Sequence, residues 1–240
     1  MSLMIEFKKL KRTGFLPAIL IGGLFASAIP LANMSFRSSI YVKLSESPLQ
    51  ILFTANWNPV ALLNQLLMIA AACILYQIEF ADNGRDKMET LPIGQGFAFI
   101  YKFILLGLSY IAFLLMEATA LTICTAKWFT ISDGFYTELL KNLGFLVLLA
   151  LPSVALMTVI SSACKNMWIS LGIGVILLFT ANVIPSAGFP LSLFPFALPF
   201  RQFYLIKAAE ITGYLCFSLV ETVIFIFTGV VYNRIRRRLQ

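Results

Sequence analysis

Histidine is missing from all 240 residues. That excludes His-ligated zinc and every catalytic arrangement in which an imidazole serves as the base. Charge is scarce as well: Asp, Glu, Lys and Arg make up 12% of the chain, and the acids number 11. The four cysteines, Cys73, Cys124, Cys164 and Cys216, form no CxxC and stand far apart, so they suggest neither a metal site nor a disulfide framework and read as small core residues. No G-x-x-x-x-G-K-[ST] pattern occurs, so the chain does not bind and hydrolyse ATP by a P-loop of its own. An enzyme embedded in a membrane is equally poorly supported, because no paired Asp motif and no Ser/Lys arrangement stands within the apolar runs.

What is present is apolar. Hydrophobic residues make up 60% of the sequence, with 22 Phe, and the mean hydropathy is +0.89. Runs of about 18 apolar residues or more recur, each long enough to cross a hydrocarbon core about 30 Å thick. The expected class is therefore an all-α membrane protein with six transmembrane helices, near 14–33, 58–80, 97–124, 142–162, 167–184 and 213–233. The apolar part of MSLMIEFKKLKRTGFLPAILIGG is too long for a signal-peptide core and no A-x-A site closes it, so it reads as a retained first span.

Six spans put both ends on one side. If that side is the cytoplasm, only Arg37, Lys43, Lys127, Lys141, Arg201 and Lys207 of the 18 basic residues fall outside. The formal charge of +7 is then a matter of membrane orientation rather than of nucleic-acid binding. In MIEFKKLKRT, Met4, Phe7 and Leu10 recur every three residues among Lys8, Lys9, Lys11 and Arg12. The pattern suits a short interfacial helix on the inner leaflet, or more simply a basic flank orienting the first span.

Two stretches interrupt the apolar pattern. EFADNGRDKMETLPI, residues 79–93, sets Glu79, Asp82, Asp86 and Glu89 against Arg85 and Lys87, and the orientation makes it a cytoplasmic loop. Asp82 or Asn83 can cap a short helix that Pro92 stops; over about 84–91 it would pair Arg85 with Glu89 and set Met88 and Leu91 on another face. The residues alone allow a docking surface or a merely solvated loop. The second stretch, IPSAGFPLSLFPFALPFRQFYLIKAAEITG, has Pro185, Pro190, Pro195 and Pro199 to break a helix, yet Phe194, Phe196, Phe200 and Tyr204 make it too apolar for a wet loop. Broken, partly re-entrant short helices before the last span are expected, serving as a lid over an apolar substrate or as an aromatic belt.

Within the spans, Glu117 and Glu221 stand out, since a charge at the bilayer centre costs about 2.5–3.5 kcal/mol on insertion scales. Each either attracts cations, such as peptide lysines, into an outer cavity or staples a neighbouring helix through Thr119, Thr122 or Ser218. Gly22, Gly23, Gly172 and Gly174 permit close helix packing.

Taken together, the layout resembles the ABC-2 type permease family, the membrane subunits of ATP-binding-cassette exporters. Within it, YQIEFADNGRDKMETLPIGQGFAFIYKFILLG resembles permeases of bacteriocin (lantibiotic) immunity transporters, with Glu79, Glu89, Leu91, Pro92, Tyr101 and Lys102 as the matching positions. Met88 and Gly94–Gln95 stand where many relatives carry Trp and Arg. The resemblance implies a single ABC-2 transmembrane domain over residues 1–240. It further implies a cytoplasmic coupling helix at Glu79, Asp82, Arg85, Asp86, Lys87, Met88, Glu89, Leu91 and Pro92 that docks on a separate ATP-binding subunit. ATP and magnesium would reside on that subunit, with no cofactor in this chain. A second permease subunit is implied, as heterodimer or homodimer, in a bacterial cell membrane with both termini cytoplasmic. The exported substrate would be an antimicrobial peptide. An ion- or proton-coupled carrier using Glu117 and Glu221 as relays, or a membrane sensor, is the alternative.

Overall fold

The computed structural model describes residues 7, 9–10, 13–80, 95–183 and 191–239. Among them there is no strand. Six long helices alternate in direction: α1 (Phe15–Tyr41), α2 (Pro48–Phe80), α3 (Gln95–Trp128), α4 (Phe135–Ala163), α5 (Met167–Val183) and α6 (Ala208–Leu239). Three single 3-10 turns, Leu191–Leu193, Leu198–Phe200 and Phe203–Leu205, precede α6. One end of the bundle, here the loop end, carries the chain entering and leaving 81–94. The other, the turn end, carries the 3-10 turns.

The helix starts follow from local chemistry. The Ser47 hydroxyl accepts a hydrogen bond from the Gln50 N–H at 3.3 Å, and Pro48 opens α2 where no N–H is needed. Asn166 does the same for α5, its Oδ1 accepting from the Trp168 N–H at 2.9 Å. Gly134 enters α4 with φ 95°, a left-handed conformation that suits glycine. Pro30, Pro59 and Pro152 sit inside α1, α2 and α4; Pro30 and Pro152 are buried against neighbouring helices, and Pro59 is exposed.

Five of the helices are long and apolar enough to cross a membrane, and α5 is shorter and apolar at 17 residues. At 1.5 Å per residue α5 is about 26 Å long, the low end of what a span needs. The helices overrun the apolar windows read from sequence: α1 continues to Tyr41, and α2 begins ten residues before 58. Among the expected short elements, the described part of the proline-rich segment is broken into short helical pieces, each a single 3-10 turn. Of the N-terminal helix, Phe7, Lys9 and Leu10 are helical, and the remainder lies outside the described residues.

Helix α2 is the axis of the bundle, packing on α1, α3, α4, α5 and the Leu198–Phe200 turn. Of its most apolar stretch 61% is buried, against 22% for α6, which is therefore peripheral even though it packs closely on α4. Close approaches are set by glycines: a Cβ on Gly22 would strike Leu67, and one on Gly229 would strike the Phe99 ring. Gly23 and Gly174 are similarly crowded, whereas Gly172 faces open space. At the loop end, Arg236 donates to the Ser162 carbonyl at 3.4 Å, meeting an acceptor in the last turn of α4. Cys73 and Cys124 are buried as expected of small core residues, Cys164 is half-buried and Cys216 is exposed on α6.

Candidate functional site

Two polar clusters are built into the apolar bundle, both on α2 and α3. The first is at the loop end. Glu79 is in the last turn of α2 and Lys102 in the second turn of α3, so the chains on either side of 81–94 face each other. Lys102 Nζ pairs with Glu79 Oε2 and stands 3.9 Å from the centre of the Tyr76 ring. Lys9 Nζ, arriving ahead of α1, reaches Glu79 Oε1 at 4.0 Å. Lys102 is only 1% exposed, so its charge is held by the carboxylate and the ring face rather than by water. The cluster ties three segments of the chain, the N-terminal stretch, α2 and α3, at one point.

Of the residues expected to form the coupling helix, Glu79 alone is described. Asp82, Arg85, Asp86, Lys87, Met88, Glu89, Leu91 and Pro92 lie outside the described residues. Sequence reasoning assigned Lys102 only a side of the membrane and no partner, and it is buried. Lysine is read from sequence as seeking water, and only the packing of α2 on α3 reveals that Glu79 and Tyr76 await it.

The second cluster lies toward the turn end. Pro30 of α1, Leu52, Phe53, Asn56, Trp57 and Val60 of α2, and Glu117 and Leu121 of α3 line a small, partly open cavity of about 20 Å³. Glu117 is 3% exposed, and no hydrogen bond reaches either carboxylate oxygen. Asn64 lies beside Glu117, and Gln65 beside Tyr110. The amide atoms of both and the Tyr110 hydroxyl are also without hydrogen-bond partners. All three side chains are buried. Toward the turn end, Asn33 Nδ2 donates to Asn56 Oδ1 at 2.7 Å and to the Tyr41 hydroxyl at 3.3 Å.

The hydroxyls expected to staple Glu117 and Glu221 are otherwise engaged. Thr119 donates to the Met116 carbonyl at 2.6 Å and Thr122 to Ala118 at 2.8 Å, both within α3, while Ser218 donates to the Leu148 carbonyl of α4. Asn64 and Gln65, missed from the sequence, take that place beside Glu117 and Tyr110. Two adjacent amides in the middle of an apolar run were the signal that could have found them. Glu221 is half-buried on α6, and its Oε2 has no hydrogen-bond partner.

The aromatic residues of the 3-10 segment cap this end. Phe196 and Phe200 are buried, and Phe194 packs on Phe196 with ring centres 6.2 Å apart. Trp57 Nε1 donates to the Pro199 carbonyl at 3.0 Å, joining the cavity wall to the cap. The Tyr204 ring lies 6.3 Å from Phe53, and its hydroxyl accepts from Asn142 Nδ2 at 3.1 Å. Burial pushes the Tyr204 phenol up to about 12, so it stays protonated across the physiological range. The segment is thus core-packed against α2 and α4 and abuts the Glu117 cavity, bringing Phe200 and Tyr204 near Phe53 and Trp57. Glu221 is not among the residues lining that cavity.

The sequence model of a family described as "ABC-2 family transporter protein" matches residues 2–181, covering α1 to α4 in full and α5 but for its last two residues. No curated protein and no solved structure matches the chain.

Proposed function

The chain belongs to the ABC-2 family of transporter proteins, as the membrane-spanning subunit of an ABC transporter, and from that premise we propose that it exports an antimicrobial peptide of the lantibiotic type, or a similar amphipathic molecule, for self-immunity or resistance. Permeases of this family generally work with an ATP-binding subunit. ATP and magnesium would be bound there, and a second permease copy or a related partner would complete the transport unit in a bacterial cell membrane. The termini and the loop end would face the cytoplasm.

The observation that carries the reading, beyond family membership, is the ion cluster at the root of residues 81–94. A partner docked on Asp82, Arg85, Asp86, Lys87, Met88, Glu89, Leu91 and Pro92 pulls on a segment whose two ends meet at Glu79 and Lys102. Displacement there is delivered at once to α2 and α3, the helices that hold Glu117 and, through Phe53 and Trp57, the aromatic cap. Met88 and Leu91 would supply the apolar anchor, and the charges the orientation and the association rate. The substrate would pass by Glu117, Phe194, Phe196, Phe200 and Tyr204, with Glu221 on a separate face of α6.

Co-purification with the ATP-binding subunit tests this. Tagged wild-type protein is expected to recover it in mild detergent, and a variant with Glu89→Lys and Leu91→Ala, inserted at equal level, is expected to lose it. Equal recovery would move docking away from this loop. No recovery by wild type would remove the support for an ATP-driven unit.

A further inference from the structure

A carboxylate buried at membrane depth with no hydrogen bond of normal geometry to either oxygen is costly, because its desolvation is offset by no charge. Glu117 is in that condition, 3% exposed and lining a cavity of about 20 Å³. Its surroundings are not a random lapse in packing. Asn64 and Gln65 are consecutive on α2 and both fully buried, and Tyr110 stands two turns before Glu117 on the facing side of α3. Seven buried nitrogen and oxygen atoms of these four side chains are left without hydrogen bonds in one small region. Buried polar atoms are almost always satisfied, and each orphan costs on the order of 1–3 kcal/mol.

We propose that Glu117 and Asn64 form a binding site for a monovalent cation, with Gln65 and Tyr110 as a second polar rung behind it. The chemistry of the donors selects the ligand. The oxygens on offer are one carboxylate, two amide carbonyls and a phenol, all hard donors, so the ligand is a hard cation or an ammonium group. The site carries one negative charge, which a singly charged cation cancels and a divalent one overshoots. Divalent sites gather several carboxylates, and among the described residues no group of three or more His, Cys, Asp or Glu is assembled. The cavity, about 20 Å³, admits one small ion or the end of one amine and excludes a folded peptide. The cation is either free, as Na⁺, or the primary ammonium of a transported molecule. The second source deepens the export reading and rests on it; the first stands without it.

Trp57 lines the same cavity and reports on it. In a Trp128→Phe, Trp168→Phe background it is the remaining tryptophan. The full chain in nanodiscs is titrated with NaCl and with n-butylammonium chloride against choline chloride at constant ionic strength, with Trp57 emission as the readout. A saturable response to Na⁺ that weakens about ten-fold or more in Glu117→Gln, but not in the surface control Glu46→Gln, is the expected result and assigns a free-cation site. A response confined to n-butylammonium with the same dependence on Glu117 supports the site with the substrate's amine as its source. Absence of a saturable response to either, or one that Glu117→Gln leaves unchanged, overturns the proposal and leaves a water-filled void. If Glu117→Gln does not fold, Asn64→Ala carries the same test with the same criterion. No ATP-binding subunit enters the assay, so its failure leaves the co-purification result standing, and the reverse.

Discussion

Glu79 and Glu117 are both carboxylates placed between α2 and α3 in an apolar bundle, and the chain treats them in opposite ways. Glu79 meets Lys102, with Tyr76 behind the ammonium and Lys9 at the edge. Glu117, 15 residues further along α3 than Lys102 and so about 22 Å away along its axis, meets amides that do not close a hydrogen bond and a cavity. Glu117 is buried and Glu79 nearly so, with 13% of its side chain exposed; what separates them is whether the compensating charge is encoded in the chain. A carboxylate completed from within fastens the structure, and one left incomplete is open to something arriving from outside.

The comparison can be broken most forcefully at Lys102. Lys102→Met leaves Glu79 with its main partner gone and is expected to cost about 3–5 kcal/mol, seen as a lower midpoint in thermal or denaturant unfolding in detergent. Glu79→Gln combined with Lys102→Met should recover much of that loss. Glu117→Gln removes a charge that has no internal partner and should melt at or above the wild-type temperature. A loss in Glu117→Gln as large as that in Lys102→Met would erase the distinction. A smaller effect sharpens the contrast at the turn end, where Trp57 does have its acceptor: Trp57→Phe keeps most of the apolar contact but loses the bond to Pro199, for a cost of about 1 kcal/mol. Protease sensitivity of the segment around Pro199 would report it separately from global unfolding. The smallest effect is expected at Lys9, whose 4.0 Å contact is partly exposed. Lys9→Ala should change stability by less than about 1 kcal/mol, with the difference from wild type shrinking further in high salt. A loss comparable to that of Lys102→Met would show that Lys9, and not Lys102, holds the cluster.

Hydropathy was enough to find the helices, since lipid-crossing segments must be apolar throughout and bond their own backbone. Their ends were not legible. The apolar window of α2 seemed to begin at 58, whereas Ser47 caps and Pro48 opens a helix that runs through Asn56, Asn58 and Pro59. The intramembrane acids announced themselves by cost alone, and Glu117 did prove to be buried. Its neighbours were obscured because amides are cheap enough within a span to pass as ordinary packing, and because the pairing of Asn64 with a residue 53 positions later is set by helix contact rather than by spacing. The aromatic cap was legible as something neither wet loop nor one straight helix. Which rings it meets, Phe53 and Phe145, could emerge only once α2 and α4 were side by side.

The joining of Glu79 to Lys102 also bears on how such a protein can diverge. The chain on either side of residues 81–94 is fastened at its base, so that connection resembles a handle on a finished vessel. Closing a connection between fixed ends depends only logarithmically on its length, about 0.6 kcal/mol for each doubling. Insertions, deletions and wholesale replacement of the handle are therefore within reach of mutation without disturbing the helices beneath it. A lineage can change the handle while inheriting the same vessel.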